Sequence, residues 1–215
     1  MRETSPDPAL DSLVDRVLHG DRDALAAVFA HHRDRLWRIV NFRIDPRLRG
    51  RVDADDVLQE AYLNAERRIG HVIQDAPDGL FVWFRMIVSQ TMAEIHRRHL
   101  GVQRRDPMRE QSLNAGGWSA DATSFSISSH LFGHLTSPSQ AALRKELTEQ
   151  LEFALSSMED LDREVLAMRH FEELSNRETA NALGLTEQAA SARYVRALTR
   201  LQHILKAIPG IGGTT

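Results

Sequence analysis

The sequence predicts an all-α protein: two small helical domains joined by a flexible linker, the C-terminal domain built on a helix-turn-helix. Three observations lead there. Apolar residues recur at three- and four-residue spacings through most of the chain, the period of amphipathic helices. Residues 100–137 lack that period and are rich in small and polar residues, including Gly116, Gly117, Ser124, Ser126, Ser128 and Ser129. Asn176 to Leu205 carries the punctuation of two helices meeting at a tight turn. On this reading residues 1–99 form the first domain, 100–137 the linker, 138–206 the second domain and 207–215 a loose, glycine-rich tail.

Taken in order, Leu10, Leu13, Val14, Val17 and Leu18 make a helical stripe that Gly20 ends, with Asp21 or Asp23 placed to cap the next helix. That helix carries Leu25, Val28, Phe29, His32, Leu36, Ile39 and Val40 and stops before Asp45-Pro46, because the residue before proline disfavours the α region. After a basic connection with Arg47, Arg49 and Arg51, Asp53 caps a helix whose buried face is Val57, Leu58, Ala61, Tyr62 and Ala65. Its other face is acidic. Asp56, Gln59 and Glu60 project together at i, i+3 and i+4 with Asp55 beside them, and no basic residue lies between Asp53 and Glu66.

Residues 69–80 hold Gly70, Pro77 and Gly79 and are expected to form a loop. From Leu80 to His99 helical spacing returns, with Phe84, Ile87, Val88, Thr91 and Ile95 as core and Phe81, Trp83, Arg85, Gln90, Glu94, Arg97 and Arg98 off that stripe or at its edge. An acidic helix is thus followed by a basic one that bears aromatics. Such rings are usually core, yet cations beside flat rings also suit single-stranded bases. The linker itself carries Trp118, Phe125, Ile127, Leu131 and Phe132, the residues of a segment that binds something.

Ser137-Pro138 reads as an N-cap followed by proline at the first helical position, opening the second domain. Leu143, Leu147, Leu151, Ala154, Leu155 and Met158 make one amphipathic helix, and Leu161, Val165 and Met168 another. In the helix-turn-helix Ala180 is small where two helices come close, Gly184 stops the first helix in a left-handed conformation, Leu185 plugs the turn, and Thr186 caps the second helix. Ala190, Tyr194, Leu198, Leu201 and Leu205 recur on that helix and leave Ser191, Arg193, Arg196 and Arg200 on other faces, a build that fits a major groove.

The chain has 215 residues and a net charge of −3, which argues against a generally basic nucleic-acid coat protein but leaves room for local basic faces. With no cysteine, disulfides, thiolate metal sites and thiol nucleophiles are excluded. A polar N-terminus without a signal-peptide core, and no apolar window of membrane-span length, predict a cytoplasmic protein that does not insert into membranes.

In the order of its segments the chain resembles the bacterial RNA polymerase sigma factors of the small extracytoplasmic-function group. The likeness rests on DADDVLQEAYLNA, on LFVWFRMIVSQTMAEIHRRH, and on the run from Leu151 to Leu201 that contains the helix-turn-helix. The resemblance implies two helical domains, the second and fourth sigma domains, and no catalysis or cofactor in this chain. It implies that Asp55, Asp56, Gln59 and Glu60 dock on the polymerase clamp coiled coil, with the flap as a further polymerase contact. It implies that the loop from Arg67 to Leu80 and the next helix open the −10 element and hold its bases, with Trp83, Gln90, Arg97 and Arg98 as candidates. The helix-turn-helix would then read the −35 element. Gln188, Ala189 and Ser191 lie toward base edges and Arg193, Arg196 and Arg200 at phosphates, with Thr186 also among the −35 candidates. The expected partners are core RNA polymerase, promoter DNA and an anti-sigma factor, with the free protein a monomer.

Departures from the family pattern include Ala189, Ala190 and Ser191 where a polar or branched residue, Val and Lys are frequent, Gln90 for asparagine, and Glu94 for aspartate. Alternative readings are a stand-alone helix-turn-helix regulator, which leaves the acidic and aromatic helices without a role, and a sigma-like decoy. A metal site built from Asp55, Asp56 and Glu60 with His96, His99, His130 and His134 rests on bare spacing.

Overall fold

A computed structural model of the chain describes residues 8–45, 47–48, 50–72, 79–100, 118–135 and 137–208. The described residues hold nine α-helices and no strand. The chain divides into two compact units, the first from 1–40 and 48–101, the second from 41–47 and 102–215.

The first unit begins with α1 (Pro8–Leu18). Gly20, at φ +85°, turns the chain, and Asp21 accepts hydrogen bonds from the backbone N–H of Asp23 and Ala24 to start α2 (Arg22–Arg43), whose residues up to Val40 lie in this unit. α3 (Ala54–Arg68) opens with a capping box in which the Asp53 side chain accepts from the Asp56 N–H and the Asp56 side chain accepts from the Asp53 N–H. α4 (Leu80–Leu100) follows Gly79. Leu25, Val28, Leu36, Ile39 and Val40 of α2 are fully buried, as are Ala61 of α3 and Phe84 and Val88 of α4. Phe29 meets Tyr62 and Phe84 edge-on at ring-centre distances of 5.4 and 5.1 Å, so one aromatic cluster joins the three helices.

α4 is buried more widely than its periodicity suggests. Phe81, Trp83 and Arg85, expected off the stripe, are all buried, and Trp83 is only 1% exposed. Buried residues therefore run around most of the helix through Phe84, Ile87, Val88 and Met92, and a two-sided core hides the period of a one-sided one.

The second unit contains 41–47, α5 (Ala120–Phe132), α6 (Ala141–Leu155), α7 (Asp160–Leu166), a wide π turn over Ala167–Phe171, α8 (Asn176–Leu183) and α9 (Glu187–Ala207). Its core gathers Ile127, Phe132, Leu147, Leu151, Leu155, Leu166, Ala197, Leu201 and Ile204 around Phe42, whose ring stacks on Phe171 at 5.0 Å. Two expectations change here. The stretch read as linker splits, with 101–117 outside the described residues and 120–132 forming α5, capped by Ser119. The second-domain helix does not start at Pro138, for a 3-10 turn over Pro138–Gln140 comes first and Ser137 Oγ bonds Ser139 Oγ at 3.1 Å.

Charged side chains buried inside this unit include Arg43, Arg163, Glu164 and Glu172. Arg43 donates to both Glu164 oxygens at 2.7 and 3.2 Å, to Glu172 at 2.6 Å and to Thr123 Oγ1 at 2.8 Å. Thr123 in turn donates to Glu164 at 2.7 Å, and Arg163 donates to Ser124 Oγ at 3.0 Å and pairs with Asp160. Removing one member of such a set leaves an unmatched buried charge. Glu172→Ala is therefore expected to lower stability by about 3 kcal/mol, read by urea denaturation. In the first unit Trp83→Ala is expected to cost about 3–5 kcal/mol, measured the same way, because it empties a packed core position.

Candidate nucleic-acid and protein interfaces

The helix-turn-helix is assembled by two caps and a glycine. Ser175 and Glu178 close a capping box on α8, Gly184 ends that helix at φ +63°, and Thr186 Oγ1 accepts from the Ala189 N–H at 3.1 Å to start α9. Ala180 and Ala190, each no more than 1% exposed, let the two helices approach. Asn176 adds a bond that the sequence reading missed. Its Nδ2 donates to the Glu187 carbonyl at 2.8 Å and ties the start of α8 to the start of α9.

This clamp sets which side of α9 faces outward. A shallow surface is lined by Asn176, Glu187, Gln188, Ser191, Ala192, Val195 and Arg196. Of the predicted −35 residues, Thr186, Gln188, Ser191, Arg196 and Arg200 are exposed and Ala189 is half-buried. Val195, 59% exposed beside Ala192, joins this face, and the signal for it was its i+4 spacing from Ser191. Methyl-bearing side chains of this kind suit the thymine methyl in a major groove.

Arg193 is placed differently. Its guanidinium donates to Glu159 at 3.0 Å and to Asp162 at 2.6 Å, and these acids hold it above the usual guanidinium range. It braces α9 against the start of α7. Arg200 donates to Ser157 Oγ at 3.3 Å from an exposed position.

On α3, Asp55, Asp56 and Gln59 are exposed and Glu60 is half-buried. Leu63 stands 48% exposed at i+3 from Glu60, i+4 from Gln59 and i+7 from Asp56, an apolar member of the same face that the charge-based reading passed over. The face is not unneutralised. Arg33 of α2 reaches Asp55 at 2.5 Å, and Arg98 of α4 reaches Glu60 at 2.6 Å. Both partners come from other helices, so inspection of α3 alone could not find them.

The predicted −10 residues on α4 separate. Trp83 lies in the core and offers no surface to bases. Gln90 is half-buried and its Oε1 accepts from Arg68 at 2.6 Å. Arg97 and Arg98 are exposed at the C-terminal end of the helix, where cations also complement the helix dipole. Hydrogen bonding to Glu60, then its charge, raises Arg98 above the usual guanidinium range. Of the stretch expected to form a loop, residues 73–78 fall outside the described residues.

The imagined metal site does not assemble. Among the described residues no group of three or more His, Asp or Glu could hold an ion, and His130 packs edge-on against Phe42 and Phe171. Among the described residues no helix is long and apolar enough to cross a membrane.

Comparison with known proteins bears on the helix-turn-helix first. Residues 154–203 match the family described as Sigma-70, region 4. Over 197 residues the chain is 25% identical to the RNA polymerase sigma-H factor of Pseudomonas aeruginosa, covering 91% of this chain and 93% of that one. Over 193 residues it is 28% identical to the ECF RNA polymerase sigma factor SigD of Mycobacterium tuberculosis, covering 90% and 82%. Among solved structures it is similar to CnrH in complex with the cytosolic domain of CnrY, at 21% identity and a TM-score of 0.49, covering 91% and 96%. The region 4 match runs from the end of α6 into α9 of the second unit, and over about nine-tenths of its length the chain is similar to RNA polymerase sigma factors, among them one of the extracytoplasmic-function type.

Proposed function

We propose that this chain is a sigma factor that binds core RNA polymerase through the Asp55, Asp56, Gln59, Glu60 and Leu63 face of α3, reads a −35 element with the first half of α9, and opens and holds a −10 element with α4. The observation that carries the reading is the division of α9. Its outward side, Gln188, Ser191, Ala192, Val195 and Arg196, is free of the core, while Ala197, Leu201 and Ile204 are buried in it. Arg196 and Arg200 engage phosphates, and Gln188, Ser191 and Val195 face base edges. Arg193 acts as a brace rather than a phosphate ligand.

On the −10 side Arg97 and Arg98 supply the cations and Gln90, steadied by Arg68, a polar edge for an unstacked base. Trp83 acts only by packing. The clamp coiled coil and the flap are the polymerase elements engaged, and an anti-sigma factor would compete for the same faces. The chain performs no covalent chemistry. It works in the cytoplasm as a dissociable monomer.

Two experiments test this. In a purified system of bacterial core polymerase, this chain and fragmented DNA from its own genome, defined 5′ ends are expected only when the chain is added. DNA binding without any transcript would instead favour a stand-alone regulator. The double substitution Asp56→Arg and Glu60→Arg is expected to abolish holoenzyme formation while the helical circular dichroism remains, since it removes one bond of the α3 capping box and one exposed ion pair, each worth about 1 kcal/mol or less. Unchanged holoenzyme formation by that folded variant would remove the clamp interface.

A further inference from the structure

Within the first unit, polar contacts that bridge α3 and α4 include the following three. Arg68 donates to Gln90 at 2.6 Å, Asn64 Nδ2 donates to Thr91 at 3.0 Å, and Arg98 grips both oxygens of Glu60 at 2.6 and 3.5 Å. The first two are part-buried, and their acceptors are neutral. The third is exposed and joins two charges that the proposed function gives to different partners: Glu60 to the polymerase clamp, Arg98 to promoter DNA.

We propose that Glu60 and Arg98 form an exchangeable pair, through which the polymerase-binding face of α3 and the DNA-binding end of α4 hold each other in check in the free chain. This rests on the function proposed above. A phosphate that approaches Arg98 meets the Glu60 carboxylate beside it and is repelled, and a clamp cation that approaches Glu60 meets the Arg98 guanidinium in the same way. Docking on the clamp gives Glu60 a new cation and turns Arg98 toward the DNA strand. Exchange does not open the helix pair, because Ala61, Met92 and Ile95 remain buried and the Asn64–Thr91 bond lies in from the exposed end.

The consequence is reciprocal, since a coupling between two binding events acts equally on both. Removing a cation assigned to DNA is expected to improve polymerase binding, and removing a carboxylate assigned to polymerase is expected to improve DNA binding. An exposed ion pair sets the scale at up to about five-fold in each direction. The effect fades as salt screens the pair.

The test is a double-mutant cycle on the full chain with E60Q, R98Q and E60Q/R98Q, each checked by circular dichroism. Two probes are titrated at low and high salt: a fluorescent single-stranded oligonucleotide of mixed sequence, and core RNA polymerase. E60Q is expected to bind the oligonucleotide up to about five-fold tighter than wild type, with the gain absent when Arg98 is already replaced. R98Q is expected to bind core polymerase tighter by a similar factor, with the gain absent when Glu60 is already replaced. Gains that persist in the second background are bulk charge effects and overturn the proposal. So does polymerase binding that R98Q leaves unchanged or weakens, or an E60Q chain with no measurable oligonucleotide binding. If the wild-type chain fails to bind core polymerase, the proposed function falls and this coupling with it; if it binds but the cycle shows no coupling, the coupling alone falls.

Discussion

Charge taken out of water has to be matched where it lands, and the second unit is organised by that requirement. Arg43 and Glu172 have fully buried side chains, and Glu164 is nearly so. Burial of each is offset only while the others and the Thr123 hydroxyl hold fixed positions around it. Those positions come from four places in the sequence: 41–47, α5, α7 and the chain just after the π turn. The π turn lets the chain widen at Ala167–Phe171 so that Glu172 faces inward, and its backbone N–H is met by the Ala167 carbonyl at 2.9 Å. Next in the chain come the Ser175 cap and α8. The orientation of the helix-turn-helix is therefore inherited from a buried set of ions beneath it.

The same set explains what the sequence revealed and what it hid. Helices with one apolar face, such as α2 with Leu25, Val28, Leu36 and Ile39, announce themselves by period. The cap at Asp53, the glycine stop at Gly184 and the cap at Thr186 were equally plain, because each depends on chemistry local to a few residues. α5 was not legible. Its buried side is Thr123, Ser124, Ser126 and Ser128 with Ile127 among them, so the residues that enter the interior are those usually assigned to loops. Two of these hydroxyls meet ions from elsewhere in the chain, Thr123 with Arg43 and Glu164 and Ser124 with Arg163. Trp83 failed for the opposite reason, since a helix buried on several sides gives its aromatics no outward face.

For the candidate surfaces, residue type and spacing named most members but not their state. Gln188, Ser191 and Arg196 stand where helical geometry places them. The acids of α3 also lie on one face, yet tertiary contacts from Arg33 and Arg98 decide how much of that charge an approaching protein feels. Arg193 shows the same effect on α9, where Glu159 and Asp162 convert a cation that sequence alone would give to DNA into an internal strut. Pairing across elements is invisible to a reading that moves along one helix at a time. Leu63 and Val195 were passed over because single exposed aliphatics are ordinary on protein surfaces, and only their company on a polar face sets them apart.

α9 is 21 residues long, about 31 Å at the rise of an α-helix. Its second half is a beam of the core, with Ala197, Leu201 and Ile204 buried, and its first half is a stiff continuation of that beam. No hinge residue separates the halves, for neither glycine nor proline occurs between Glu187 and Ala207. When such a helix meets a groove of imperfect width or direction, the protein has little capacity to yield. The duplex then takes up the misfit by bending or changing its groove width, at an elastic cost that differs from one base step to the next. A rigid reading helix thus makes the stiffness of the DNA, including steps it never touches, part of what is recognised.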